Sequence, residues 1–131
     1  AEGSPVERLA KFVVCFTDLV LERYKYTSIY FREELNLPAD VSERIKELRK
    51  QIDYGLRGIL KDGHQNGDLI YTNAVVASQI IAGMISYSFA WYNENSPLSK
   101  DAIRQQMLEH VLRSVAVDKA QVESLVAAYT P

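Results

Sequence analysis

Cysteine is almost absent from this chain: Cys15 is the only one among 131 residues. A lone cysteine excludes an intrachain disulfide, and the expected setting is a reducing, cytoplasmic one. Long apolar runs are missing too. A membrane helix needs about 18 or more consecutive apolar residues. The longest weakly charged stretch, residues 69–93, is interrupted by Thr72, Asn73, Ser78, Gln79, Ser86 and Ser88. No membrane partner is therefore expected. An excess of basic charge is also lacking. Fifteen Lys and Arg stand against 17 Asp and Glu, for a net charge of −2. Domains that grip a phosphate backbone carry a basic face, so this segment is not expected to bind duplex DNA itself. Neither a signal-peptide pattern nor an initiating Met opens the chain, which starts at Ala1 with a linker-like segment. We read it as a fragment of something longer, forming one ligand-binding and dimerisation domain over 1–131.

The catalytic motifs are missing as well. There is no phosphate loop, no dinucleotide glycine fingerprint and no nucleophile elbow. Cys15 lies in an apolar helical pattern and is expected in the core. His110, on a helix with two apolar faces, reads as packed or interfacial rather than catalytic. The segment Asp62-Gly63-His64-Gln65-Asn66-Gly67-Asp68 has a superficial likeness to a metal loop, but its oxygen donors lack EF-hand spacing. It reads as a helix exit and turn, with His64 at the negative end of the helix dipole. Glu33 and Glu34 read as a solvated helix end. No metal and no cofactor is expected.

What is present is helical periodicity almost everywhere, and the fold class expected is all-α with five to six helices. Apolar residues make up 47% of the chain, enough for one core at this size. Ser4 followed by Pro5 starts a helix over 5–22. A shorter one over 25–34 ends before Asn36 and Pro38. Asp40 and Glu43 have capping-box spacing and open a long helix over 41–63. Its apolar stripe is Val41, Ile45, Leu48, Ile52, Leu56 and Ile59. A fourth helix is expected over 73–93, a fifth over 100–115 capped by Ser99, and a short last one behind Asp118 and Gln121. No β-strand is expected.

The fourth helix carries no charge between Asp68 and Glu94 and is apolar on both sides. A helix that is apolar all round has to be covered all round. One side, Val76, Ile80, Gly83, Met84, Tyr87 and Trp91, is assigned to the interior. The other, Ala77, Ile81, Ile85, Ser88 and Tyr92, is assigned to a second copy of the chain, together with Ile103, Met107, His110, Val111 and Ser114 of the fifth helix. The expected product is a homodimer with a four-helix interface. Aromatic residues from the first helices, among them Phe12, Phe16, Tyr24, Tyr26, Tyr30 and Phe31, converge with those of the fourth. A mostly apolar ligand pocket lined by Phe16, Tyr24, Tyr30, Tyr54, Met84, Tyr87 and Trp91 is expected.

These features together resemble the regulatory domains of TetR-family transcriptional regulators. The resemblance rests on the run Ile45–Asp68, on Gly83-Met84 and Trp91-Tyr92 in the segment Ile81–Leu98, on Pro97-Leu98-Ser99 and on the opening Ser4–Leu9. It implies a repressor whose DNA binding is relieved by a small-molecule effector. DNA would be contacted only through an N-terminal helix-turn-helix that this chain lacks. The Trp-Tyr turn is similar to that of regulators of fatty-acid and steroid breakdown, which implies an apolar or acyl-CoA-like effector. Two other readings stay open: a free-standing helical protein–protein interaction module, and a cofactorless enzyme in a helical cavity.

Overall fold

A computed structural model describes the backbone of residues 3–129 and, except at Phe31 and Glu34, the side chains. Those two side chains, which the sequence placed in the aromatic group and at a solvated helix end, lie outside the described residues. The order is α1 (Pro5–Glu22), α2 (Tyr24–Glu33), a 3-10 turn (Glu34–Asn36), α3 (Ala39–Gln65), α4 (Ala74–Ser86), a 3-10 segment (Tyr87–Ala90), α5 (Lys100–Val115) and α6 (Lys119–Ala128). Among the described residues the sole strand-like feature is an isolated bridge between Leu69 and Ala116. The all-α expectation holds.

Ser4 starts α1 through a reciprocal cap. Its hydroxyl accepts from the Glu7 N–H at 3.2 Å, and the Glu7 carboxylate accepts from the Ser4 N–H at 3.3 Å. Helix α1 then runs through the middle of the domain, packing on α5, α3, α4 and the 3-10 segment. Val6, Leu9, Ala10, Val13, Thr17, Val20 and Leu21 form its buried face. Cys15 is exposed. The core placement expected for it fails because it sits two residues from both Val13 and Thr17, which turns it to the opposite side of the helix.

Helix α3 begins at Ala39, behind Pro38, with no side-chain cap. The expected Asp40–Glu43 capping box is not formed. Asp40 lies inside the first turn, where its charge faces the positive end of the dipole instead. The helix also continues two residues past Gly63, which is buried within it rather than marking its end. Only the second half is anchored. Leu56 and Leu60 are fully buried, whereas Leu48 of the same stripe is 58% exposed. Past the helix, Gly67 adopts φ +80, the left-handed conformation that glycine tolerates best.

The fourth helix is shorter than expected: regular α-helix ends at Ser86 and tightens into the 3-10 segment. Asn73 caps α4, its side chain accepting from the Val76 N–H at 3.0 Å. Ser99 caps α5 in the same way through Ala102, and Asp118 caps α6 through Ala120 and Gln121. Beneath these elements lies one large core, built from α1, the second half of α3, α4, α5 and Val122 of α6. A smaller satellite holds Leu21, Tyr92 and Ile103, with Tyr24 packed against it. No helix of the described residues is long and apolar enough to cross a membrane.

Candidate functional site

Helix α4 is apolar on two sides, and the structure decides which goes inside. Ile81 is 2% exposed and Ile85 0%, with Ser88 and Tyr92 also buried. Ile80, by contrast, is 57% exposed, Tyr87 63% and Trp91 49%, with Val76 exposed beside them. The two faces are thus exchanged relative to the sequence assignment. Ile81, Ile85, Ser88 and Tyr92, given to a second subunit, are used up by the domain's own core. Val76, Ile80, Tyr87 and Trp91, given to the interior, lie outside. Ala77 is half-buried at the edge.

Helix α5 divides in a similar way. Ile103 and Val111 are buried within the domain, which corrects their assignment to a second subunit. Met107 is half-buried, and His110 and Ser114 are exposed as that assignment requires. Between α4 and α5 runs a groove of about 500 Å³, lined by Met84, Trp91, Leu98, Ala102, Ile103, Gln106, Met107 and His110. It is apolar except at one end, where the Gln106 amide lies 2.9 Å from the His110 imidazole. Sequence reasoning missed Leu98, Ala102 and Gln106. The charge gap before Glu94 was the usable signal, but it stops short of these residues.

The seven aromatic and Met residues expected around one cavity are spread over separate surroundings. Met84 and Trp91 line the groove. Phe16 stacks on Phe12 at 5.7 Å and packs against the main core. Tyr24 meets Tyr92 edge-on at 5.1 Å in the satellite core. Tyr30 lies under the Arg49 guanidinium at 5.0 Å. Tyr54 is exposed, with the guanidinium of Arg57 5.1 Å from its ring. Tyr87 packs on Phe89 at 5.9 Å on the outer side. Helix geometry explains the dispersal: the faces of α1, α2, α3 and α4 that carry them do not point to one axis.

A second feature joins α3 to α4. Asp53 pairs with Arg57 one turn along α3. The buried Ser78 hydroxyl of α4 can donate either to Asp53 at 3.0 Å or to its own helix at the Val75 carbonyl, 2.8 Å away. The Arg57 Nε is buried without a hydrogen-bond partner. This is a small set of partly buried polar groups beside the apolar core.

Ion pairs fix the frame around both features. Arg104 of α5 donates to Asp18 of α1 and to Asp101, at 2.6 Å each. The hydrogen bond to Asp18 is the main reason that Arg104 titrates even higher than usual. Arg8 at the start of α1 reaches Asp62 near the end of α3 at 3.1 Å. Among the described residues no group of three or more His, Cys, Asp or Glu gathers as a metal site.

Residues 2–115 match the family model described as the tetracyclin repressor-like, C-terminal domain. The chain belongs to this family. No curated protein matches the sequence. Two solved structures share the fold of this tetracyclin repressor-like domain. One is a transcriptional regulator of the TetR/AcrR family from Thermobifida fusca, 20% identical, with TM-score 0.77 over 86% of this chain and 59% of that one. The other is a ketosteroid transcriptional regulator of Mycobacterium tuberculosis, 21% identical, with TM-score 0.79 over 90% of this chain and 61% of that one. The tetracyclin repressor-like domain described here thus spans about three fifths of the length of either regulator.

Proposed function

We propose that this domain is the effector-binding and dimerisation part of a cytoplasmic transcriptional repressor whose DNA-reading segment lies outside the chain. Membership of the tetracyclin repressor-like family carries the reading. In it the domain binds no duplex DNA and catalyses nothing. An effector shifts the balance between two arrangements of the helices, by no more than its difference in affinity for the two.

The effector is a small, mostly apolar molecule with one polar end, of acyl-CoA type. Its apolar part lies between α1, α3 and α4 beside Phe12 and Phe16. Its polar end meets Arg57 and Ser78. A pocket of this kind needs an apolar wall and a few convergent polar groups. The Arg57 Nε without a partner and the Ser78 hydroxyl with alternative acceptors supply them. Dimerisation uses the outward faces of α4 and α5: Val76, Ile80, Met84, Tyr87 and Trp91 with Met107, His110 and Ser114. The charge-free outer face of α4 supports this assignment.

Native mass spectrometry of the purified domain tests the effector, followed by thermal shift with a long-chain acyl-CoA and the corresponding free acid. Stabilisation that is lost in Arg57→Ala is the expected result. No shift with either compound, and no retained mass, overturns the effector reading. An open groove is also what a free-standing interaction module would present to a different protein. Sedimentation equilibrium separates the two, because that module would be monomeric at micromolar concentration.

A further inference from the structure

We propose that the groove between α4 and α5 holds one soft monovalent metal ion, of the Cu(I) or Ag(I) class, on the thioethers of Met84 and Met107 and the imidazole of His110.

The chain has two methionines, two histidines and one tryptophan. Both methionines, one of the histidines and the tryptophan line this one groove. Met107 and His110 stand three residues apart on α5, the spacing that puts side chains next to each other on one helix face. Met84 comes from α4. Both methionines are half-buried and pack against the main core, which holds their stems in place, while His110 is exposed. The Gln106 amide lies 2.9 Å from His110 Nδ1. An imidazole that ligates through one nitrogen ordinarily gives the proton on the other to an outer partner. With its oxygen turned towards Nδ1 the Gln106 amide accepts that proton, and Nε2 is left as the ligating atom.

The donor set names the ion. Thioethers are soft and neutral, and soft ligands select Cu(I). Three neutral donors suit a single positive charge. Calcium and magnesium take oxygen, and zinc takes thiolate, imidazole or carboxylate, usually in fours. No Asp, Glu or Cys lines the groove, so it offers zinc one imidazole alone. Trp91 adds an indole face, to which a cation is attracted. Helices α4 and α5 each pack more extensively on α1 than on one another, so an ion shared by Met84 and Met107 would tie together two elements otherwise joined mainly through a third. All three donors come from one chain, and a single ion is small enough to stay in place beneath a second copy. The inference therefore stands apart from the dimer reading.

The test is Cu(I) titration of the Cys15→Ser chain, without oxygen and against a chromogenic Cu(I) chelator, with Trp91 fluorescence as a second signal. Cys15 is exposed and its thiol is itself a soft ligand, so it is removed from every sample. One Cu(I) per chain, a change in Trp91 emission and no response to Mg(II) are the expected results. X-ray absorption at the copper edge should show sulfur neighbours together with nitrogen. Met84→Leu and Met107→Leu nearly conserve volume and remove one donor each. Each should weaken binding by about tenfold or more, the scale on which even the outer partners of a ligand act. His64→Gln, which alters the histidine outside the groove, should leave binding unchanged. Absence of Cu(I) binding in Cys15→Ser overturns the proposal, as does binding that survives both leucine substitutions. Copper without sulfur neighbours overturns it too, and that measurement decides the matter if a leucine variant fails to fold.

Discussion

Leu69 is seated on Gly63. The amide nitrogens of Leu69 and Asp68 both donate to the Gly63 carbonyl, at 3.0 and 2.9 Å, and a Cβ on Gly63 would lie 2.3 Å from Leu69 Cδ1 and 3.0 Å from its Cβ. The loop that leaves α3 is thereby closed down against the helix it has just left. It also reaches the end of α5, where Ile70 donates to the Val115 carbonyl at 2.8 Å.

Gly63→Ala should therefore destabilise the domain by about 1–3 kcal/mol, the range for overpacking a filled site. Rotating the Leu69 side chain does not clear the clash, because its Cβ and Cγ are also within 3.0 Å. A urea midpoint equal to that of the wild type would show that the loop can move away at no cost.

Ile80 and Ile85 separate the two sides of α4. Ile80→Asp should give a folded monomer, because Ile80 is more than half exposed on the face proposed for dimerisation. Ile85→Asp should cost about 4 kcal/mol or more and abolish cooperative unfolding, because it puts a carboxylate in a fully enclosed apolar site. Circular dichroism melting and sedimentation on both variants check this. The opposite pattern would restore the face assignment made from sequence.

Thr17 is fully buried in α1, and its hydroxyl has no hydrogen-bond partner. Thr17→Val keeps the shape and removes the unsatisfied group. It should stabilise the domain by about 1 kcal/mol or more. The denaturant midpoint should rise with the slope unchanged. A loss of stability instead would mean that the hydroxyl is satisfied in solution.

Tyr71 supplies a pH dependence. Burial raises its phenol above the ordinary value of 10.0, beside the His64 ring at 5.0 Å. In the unfolded chain the phenol ionises near that ordinary value, whereas the folded chain holds the proton to higher pH. The unfolded state then binds fewer protons in the interval, so this contribution is complete below pH 10 and is lost as pH rises further. Tyr71→Phe should flatten the alkaline fall in stability measured by urea titration. An identical fall in both proteins would assign it elsewhere.

Much of this architecture was legible in the sequence because it is local. Ser4-Pro5, Ser99 and Asp118 mark helix starts through bonds to backbone groups two or three residues away. The apolar spacing between them reports 3.6-residue periodicity wherever it occurs. The same locality explains the error at Asp40. Its spacing to Glu43 satisfied the pattern of a cap, but Pro38 started the helix earlier. The uncharged stretch 69–93 likewise showed that α4 is apolar on both sides.

Only the tertiary structure decided what covers which side. Val76, Ile80 and Tyr87 are as apolar as Ile81, Ile85 and Tyr92, so no pattern within α4 distinguishes the face that α1 buries from the face left outside. The choice depends on where α1, α3 and α5 arrive, which places Ser78 opposite Asp53 and Tyr92 against Tyr24. Cys15 and Gly63 follow the same logic. Each has an ordinary place in a helix, and whether it is open to solvent or covered is set by what packs against that side: burial and steric contact are relations between elements, which a single helical period does not encode.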